Sequence, residues 1–311
     1  MSGTAQLSEF LLRLGRRGKL PLAEYPFDEA SPQAIGLVVR GGMVELPPGT
    51  SLLDAGSVRA ALRGGAREWL NRLEIHAAID STNLRLVTLP RGEEAGGMLI
   101  MAELQTMGRG RRGRQWFSPF AGSLAMSLGF RLQGSPGELG GLSLAVGLGV
   151  AAALEDAGVA GVNLKWPNDV RVGDAKICGI LIELISVPDA VVAVVGIGVN
   201  VSIAQGVRRQ VDQPLTDIRE QGVDLERSTL AGLVVSSVVE IVDQFTEHGF
   251  EPLRSVYDTY HTYHGKQCVL MHGDGETVGK VVGVTQTGQL RIASANGLRE
   301  FDGGEVSLRG L

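Results

Sequence analysis

Two runs of apolar residues, 177–184 and 190–201, constrain the fold of this chain more than any other feature. Both are nearly continuous, without the alternation of a half-exposed strand, and that is the pattern of strands in a sheet interior. Around them lie shorter strand-like stretches at 97–104, 123–131, 162–165 and 169–172. The segment 139–157 is apolar on nearly every side and reads as a buried helix. A further helix is expected from Ser228, as N-cap, to His248, with Leu230, Leu233, Val234, Val238, Ile241, Val242 and Phe245 at the helical spacing of three and four. From 264 the chain changes to short β-prone stretches (266–271, 278–285, 289–293, 299–301, 306–308) between Gly-rich turns, the signature of a small barrel. Strands, helix, strands, helix and barrel together imply an α+β protein with a mixed-sheet catalytic core and appendages.

The first 64 residues form a separate unit. Leu7, Phe10, Leu11 and Leu14 share one face of a short helix, 19–32 reads as irregular, and 38–44 reads as a hairpin turning at Gly41-Gly42. After Pro47-Pro48-Gly49, a second helix is expected over 52–62. The domains expected are therefore 1–64, 65–262 and 263–311.

Composition narrows the function classes. A chain of 311 residues with 44 glycines and 5% aromatics suits a ligand-binding enzyme with many close backbone approaches. Its net charge of −5 argues against binding nucleic acid over the whole surface. Cys178 and Cys268 are too few for a disulfide framework or a four-cysteine zinc site. The N-terminus has no signal-peptide pattern, no charge-free apolar run reaches the roughly 20 residues of a membrane span, and a cytoplasmic setting is expected.

The stretch Gly108-Arg109-Gly110-Arg111-Arg112-Gly113-Arg114 sets four arginines among three glycines, and no acidic residue occurs from 104 to 137. Such a segment can wrap guanidinium forks and backbone N–H groups around phosphate or carboxylate, and it also fits a solvated basic loop. It matches G-x-G-x-x-G formally, yet Trp116-Phe117-Ser118-Pro119 and a strand follow instead of a helix, so a dinucleotide fingerprint is excluded. The glycine run at 273–280 has the wrong spacing for a phosphate-binding Walker loop and reads as a turn.

Other polar groups are candidates on weaker grounds. Lys165-Trp166-Pro167-Asn168-Asp169 offers a cation, an amide and a carboxylate around a turn, suited to phosphate and Mg²⁺ or to a plain β-turn with a packed Trp. Lys176 opens an apolar strand, where it can meet an oxyanion or solvent. Asp80-Ser81-Thr82-Asn83 fits a small-ligand site and equally a helix N-cap. Gly196-Ile197-Gly198-Val199-Asn200 permits close approach at the end of a strand. The surroundings of Ser127 lack a nucleophile elbow, and His76, His248, His261, His264 and His272 fit no triad order; His261 and His264 read as a solvated helix end.

In order and form these blocks, with Gly179-Ile180-Leu181-Ile182-Glu183 and the ending 304–309, resemble the bacterial biotin–protein ligases of the BirA family over about 75–311. The resemblance implies a catalytic domain like that of class II synthetases, an SH3-like C-terminal barrel and a reduced winged-helix-like N-terminal region. It implies that biotin and ATP, with Mg²⁺, form biotinyl-5′-AMP, and that biotin passes to a lysine of the biotin carboxyl carrier protein of acetyl-CoA carboxylase. By the same resemblance, Ser81, Thr82, Asn83, Gln105, Gly108, Arg109, Gly110, Arg111, Lys176 and Gly179 bind biotin, with Arg111 and Lys176 catalytic. Lys165, Asn168, Asp169 and Asn200 serve ATP and Mg²⁺, with Asp169 as the metal ligand, and a homodimer is a further implication.

The chain departs from the family in two places. Leu215 stands where enteric members carry an aromatic over the adenine. Residues 1–64 lack a clear recognition helix and balance their basic residues with acids, so DNA is not expected as a partner, and repressor activity or a lipoate or octanoyl ligase are the alternatives.

Overall fold

A computed structural model describes residues 3–26, 30–89, 94–272, 275–302 and 307–310. The N-terminal unit begins with α1 (Gly3–Arg17), which buries Leu7, Phe10, Leu11 and Leu14 on its expected face. Strands β1 (Lys19–Pro21), β2 (Val38–Arg40) and β3 (Met43–Glu45) form a sheet in the order β1-β3-β2, with Gly41 and Gly42 at positive φ in the β2–β3 turn. The expectation of irregular structure over 19–32 is corrected by β1, which exists through pairing with the distant β3 and has no periodicity of its own. Residues 27–29 of that stretch lie outside the described residues. The helices α2 (Ala55–Ala61), capped by the Asp54 carboxylate, and α3 (Ala66–Trp69) lead into the next unit.

The central sheet has seven strands: β4 (Arg72–His76), β5 (Met98–Ala102), β6 (Ser123–Leu132), β7 (Val162–Lys165), β8 (Asp169–Val172), β9 (Ala175–Val187) and β10 (Ala190–Asn200). Their order is β4-β5-β6-β10-β9-β8-β7. The pair β4–β5 is parallel, with α4 (Thr82–Val87) in its crossover, and the other pairs are antiparallel. After α5 (Leu142–Asp156) and the short α6 (Gln205–Arg208) come α7 (Arg227–His248) and α8 (Glu251–Tyr260). Leu124, Met126 and Leu128 of β6 and Val195, Ile197 and Val199 of β10 bury into one core with α5 and α7. On the other face, Ile100, Val192 and Val194 pack with Leu86 of α4. Both faces of β10 are covered, and that accounts for its unbroken apolar run.

The segments Pro136–Asp156 and Arg227–His248 have the length and apolarity of membrane spans, but 61% and 56% of them is buried inside the fold, as for core helices. The start of α7 differs from expectation. Glu226 holds the N-cap position, and Ser228 instead accepts the Asp54 N–H at 3.0 Å, fastening α2 to α7.

A buried ion pair fixes the same corner. Glu103 and Arg227, each 4% exposed, lie 2.5 Å apart. Arg227 also donates to the carbonyls of Ser51 and Ser123, and Glu103 accepts the Leu53 N–H. Removing one partner strands the other charge in the core. Arg227→Met is therefore expected to lower unfolding free energy by about 3–5 kcal/mol in urea titrations.

The C-terminal unit is a five-stranded antiparallel sheet, β14-β13-β12-β11-β15, formed by β11 (Gln267–His272), β12 (Gly275–Val284), β13 (Leu290–Ser294), β14 (Gly297–Phe301) and β15 (Ser307–Gly310). Residues 273–274 of the glycine run and 304–306 of the ending lie outside the described residues. The unit is fastened to the centre where Trp166 Nε1 donates to the Gly288 carbonyl at 2.9 Å and the Thr262 N–H donates to Leu164 O at 2.8 Å.

At this junction the expectation of a solvated His261 is corrected. His261 is 4% exposed, stacks on Tyr257 with ring centroids 5.5 Å apart, and neither ring nitrogen has a hydrogen-bond partner. Burial, with His264 and Lys266 adding like charge, pushes its imidazole down from 6.5 to about 3. The unfolded chain takes up a proton here that the folded chain refuses. This contribution to stability is present above pH 6.5 and is lost as the pH falls from there toward 3. His261→Phe should flatten that part of the pH–stability curve, measured as urea midpoints across the window.

Candidate active site

Strand pairing builds the floor of the site. Opposed residues of neighbouring strands share a face, and β10 sets Gly196 against Ser127 of β6 and Leu181 of β9, and Gly198 against Ala125 and Gly179. This face is opposite to the one that carries Val195, Ile197 and Val199 into the core. Over it lie two side chains that only glycine admits. A Cβ at Gly196 would collide with Asn83 Oδ1, and one at Gly198 with the Trp116 indole; at Gly179 it would come 2.9 Å from Trp116 Cζ3.

One end of the floor is a closed polar network. Ser81 caps α4, accepting the Leu84 N–H, so this block is both an N-cap and part of the cavity wall. The Thr82 N–H donates to Gln105 Oε1 at 2.8 Å, and its hydroxyl reaches the same oxygen at 3.1 Å. The Ser127 hydroxyl, buried, lies 2.6 Å from Asn83 Oδ1 and 2.8 Å from Thr82 Oγ1. Asn83 Nδ2 donates to Glu183 Oε2 at 2.8 Å, and Arg109 meets the same carboxylate at 3.3 Å. Ser127 and Glu183 are the residues of this network that the sequence did not single out for binding. Glu183 closes the block that begins at Gly179 and Ser127 has no distinctive neighbourhood in sequence; strand register brings both here.

The other end is cationic. Lys165 and Asp169 are opposed across β7 and β8, and Asp169 is opposed to Gly179, so its carboxylate is on the floor's face. A register shift between Val170 and Arg171 sets Lys176 opposite Arg171, with Ile177 as the extra residue. Without it Lys176 would share the core face of Cys178; with it the amine reaches Asp169 Oδ1 at 2.5 Å and lies 5.5 Å from the centre of a Trp116 ring. Burial pushes the Cys178 thiol up to about 12, which leaves no thiolate beneath the lysine.

The loop between the two ends is a small hairpin. Gly110 N–H donates to Arg114 O at 2.7 Å and Trp116 N–H to Gly108 O at 2.9 Å, around a 3-10 turn at Arg111–Gly113. Arg111 Nη1 reaches Asn168 Oδ1 at 3.3 Å. Burial, with Arg112 beside it, lowers the Arg111 guanidinium from its ordinary range, and Asp169 opposes that shift.

These groups enclose a cavity of about 190 Å³. Of the predicted residues, Ser81, Thr82, Asn83, Gln105, Arg109, Gly110, Arg111, Lys165, Asn168, Asp169, Lys176 and Gly179 line it. Gly108 and Asn200 do not. Gly108 closes the base of the loop. Asn200 is 6% exposed and donates to the carbonyls of Lys176 and Thr216 at 3.3 and 3.0 Å, which ties the segment carrying Gln213 against β9. Gln115, Gln213 and Met126 are further lining residues; Gln115 adjoins the arginine-glycine stretch, and Gln213 opens the segment of Leu215 that the resemblance sets over the adenine. Four arginines and two lysines line the cavity against the single carboxylate of Asp169. That balance selects an anionic ligand, and no histidine among the lining residues supplies a base for a serine or cysteine nucleophile.

The biotin/lipoate A/B protein ligase family matches residues 76–200, and the biotin protein ligase C-terminal domain matches 263–309. The bifunctional ligase/repressor BirA of Escherichia coli is 34% identical over 272 residues, spanning 87% of this chain and 83% of that protein. The chain belongs to the biotin–protein ligase family. A biotin–[acetyl-CoA-carboxylase] ligase of Paracoccus denitrificans is 31% identical over 75% of this chain and 99% of its own length. Among solved structures, the biotin protein ligase of Aquifex aeolicus in complex with biotin and ATP superposes with a TM-score of 0.66 at 32% identity, covering 78% of this chain and all of that one.

For a ligase with this floor, Gly196→Ala is expected to reduce ligation at least tenfold by displacing Asn83, with a shift in the thermal midpoint of only a few degrees. Parallel activity and calorimetric measurements check this.

Proposed function

We propose that this ligase activates biotin with ATP to biotinyl-5′-AMP and transfers the biotin to a lysine of the biotin carboxyl carrier protein of acetyl-CoA carboxylase, in the cytoplasm. The observation that carries the reading is the pairing, within one cavity, of a hydrogen-bonding end at Ser81–Asn83 and Gln105 with a cationic end at Arg111, Lys165 and Lys176. The first suits the polar ring of biotin. The second suits a carboxylate turning into a phosphoric anhydride.

In the first step the biotin carboxylate oxygen attacks the α-phosphorus of ATP, the bond to the β-phosphate oxygen breaks, and pyrophosphate leaves. Arg111, on Asn168, and Lys176, on Asp169, offset the charge that builds on the phosphoryl oxygens. In the second step the neutral amine of the acceptor lysine attacks the biotinyl carbonyl, AMP leaves with the bonding electrons, and the amine loses its proton. The mixed anhydride is already activated, so the rate comes from holding the groups in line. A covalent enzyme intermediate has no role.

The residues present fit Mg²⁺ as a companion of ATP. Asp169 supplies one carboxylate beside Asn168, and a magnesium site of this kind takes its other ligands from phosphate and water. No group of three His, Cys, Asp or Glu residues able to hold a metal alone occurs among the described residues. Bound there, the ion would neutralise phosphate charge. Asn200 is assigned to the ATP side through the segment it anchors, and Gly108 to the biotin side through the loop it closes.

Repression is left out of the reading. Between α1 and the β2–β3 hairpin, the described residues hold a strand and a 3-10 turn (Leu22–Glu24) and no helix to lie in a groove.

ATP–pyrophosphate exchange tests the proposal. Exchange should depend on biotin and stay at background with lipoate or octanoate; stimulation by lipoate and not by biotin would overturn it.

A further inference from the structure

The N-terminal unit shares its apolar core with the roots of the cavity wall. Leu7, Phe10, Leu11 and Leu14 of α1 cluster with Ala78, Leu104, Phe120 and Ala121. Ala78 stands three positions before Ser81, Leu104 directly precedes Gln105, and Phe120 follows the segment that opens at Gly108. A single apolar cluster therefore underlies three points at which the chain enters or leaves the wall.

A polar contact continues from that cluster toward the cavity. The Thr4 hydroxyl donates to Asp80 Oδ1 at 2.8 Å, and the Thr106 hydroxyl reaches the same oxygen at 3.2 Å. Asp80 immediately precedes Ser81, and Thr106 immediately follows Gln105. Backbone bonds lace the two segments together, Thr106 N–H to Ile79 O and Met107 N–H to Asp80 O, both at 2.9 Å. The Asp80 carboxylate thus receives one hydroxyl from α1 and one from the Gln105 segment, and it also faces the first turn of α1, where an anion is favoured. Thr4 lies outside the cavity and meets the segments of its wall through Asp80 and, at 3.4 Å, through the Thr106 hydroxyl.

We propose that the N-terminal unit acts as a brace for the biotin end of the site, with Thr4 as a positioning residue that holds Ser81–Asn83 and Gln105 in mutual register through Asp80. This rests on the reading of that end as the biotin pocket. A small unit is most effective in this place, because the pocket's hydrogen bonds come from two chain segments that are otherwise joined by short backbone contacts, and Thr82–Gln105 geometry depends on their alignment.

The test uses the full chain, with steady-state exchange measured against biotin at saturating ATP and against ATP at saturating biotin. Thr4→Val keeps the bulk of the side chain and removes the hydroxyl. It should raise KM for biotin about fivefold, in line with one lost hydrogen bond, and speed biotinyl-adenylate dissociation by a similar factor. KM for ATP and the thermal midpoint should stay near those of the wild type, and Thr4→Ser should restore the biotin constants. An unchanged KM for biotin in Thr4→Val overturns the proposal, as does an equal rise in both KM values with no rescue by serine. A wild-type chain that gives no biotin-dependent exchange would instead overturn the reading of the site, so the two failures are separable.

Discussion

Antiparallel pairing among β6, β10 and β9 decides which residues of this chain are core and which are site. With Gly196 opposed to Ser127 and Leu181, the residues of one parity face α5 and α7, and those of the other parity face α4 and the cavity. A slip of one residue would exchange the two sets, turning Val195 and Ile197 to the ligand and the glycines to the core. The apolar burial against α5 and α7 holds this register, so the energy that folds the sheet also places the glycine floor under Asn83 and Trp116. Site and core are two sides of one pairing scheme.

The floor then dictates what the rest must supply. Glycines leave room, and α4 and the loop fill it with Asn83 and Trp116. Those side chains in turn need partners, found in Ser127 and Glu183 for the asparagine, with Arg109 on Glu183 in turn, and in Lys176 over the indole. At the far corner the buried pair of Glu103 and Arg227 joins the exit of β5, the start of β6 and the start of α7. Gln105 leaves β5 just beyond Glu103, so a pair remote from the cavity helps to fix where the cavity's polar end begins.

Much of this was legible from residue order. The apolar runs announced β9 and β10 because their burial on both faces erases alternation, and α7 announced itself by its spacing. The chemically distinctive blocks meet around one cavity, with Ser81 serving as cap and wall at once. What escaped the sequence depends on contacts between distant segments. β1 is three residues long and is a strand only by virtue of β3. Ser228 has the residue type of a cap, but its hydroxyl serves the backbone of Asp54, 174 positions away. His261 reads as exposed because nothing local reveals that its backbone bridges to Leu164 of β7. Asn200 carries the residue type of a ligand group, and its amide nitrogen is held by two backbone carbonyls from distant segments. Ser127 and Glu183 gain their place by register, a property no single strand displays.

The extra residue in β9 has a consequence for how such a chain can vary. Lys176 points to the cavity because Ile177 shifts the count by one, so the requirement falls on chain length between the β8–β9 turn and Gly179 as much as on the lysine itself. Substitutions that keep side-chain type can accumulate along this strand, whereas loss of a single residue there would carry the amine into the hydrocarbon layer beneath the sheet. Across lineages, this short stretch should accept changes of letter far more readily than changes of number.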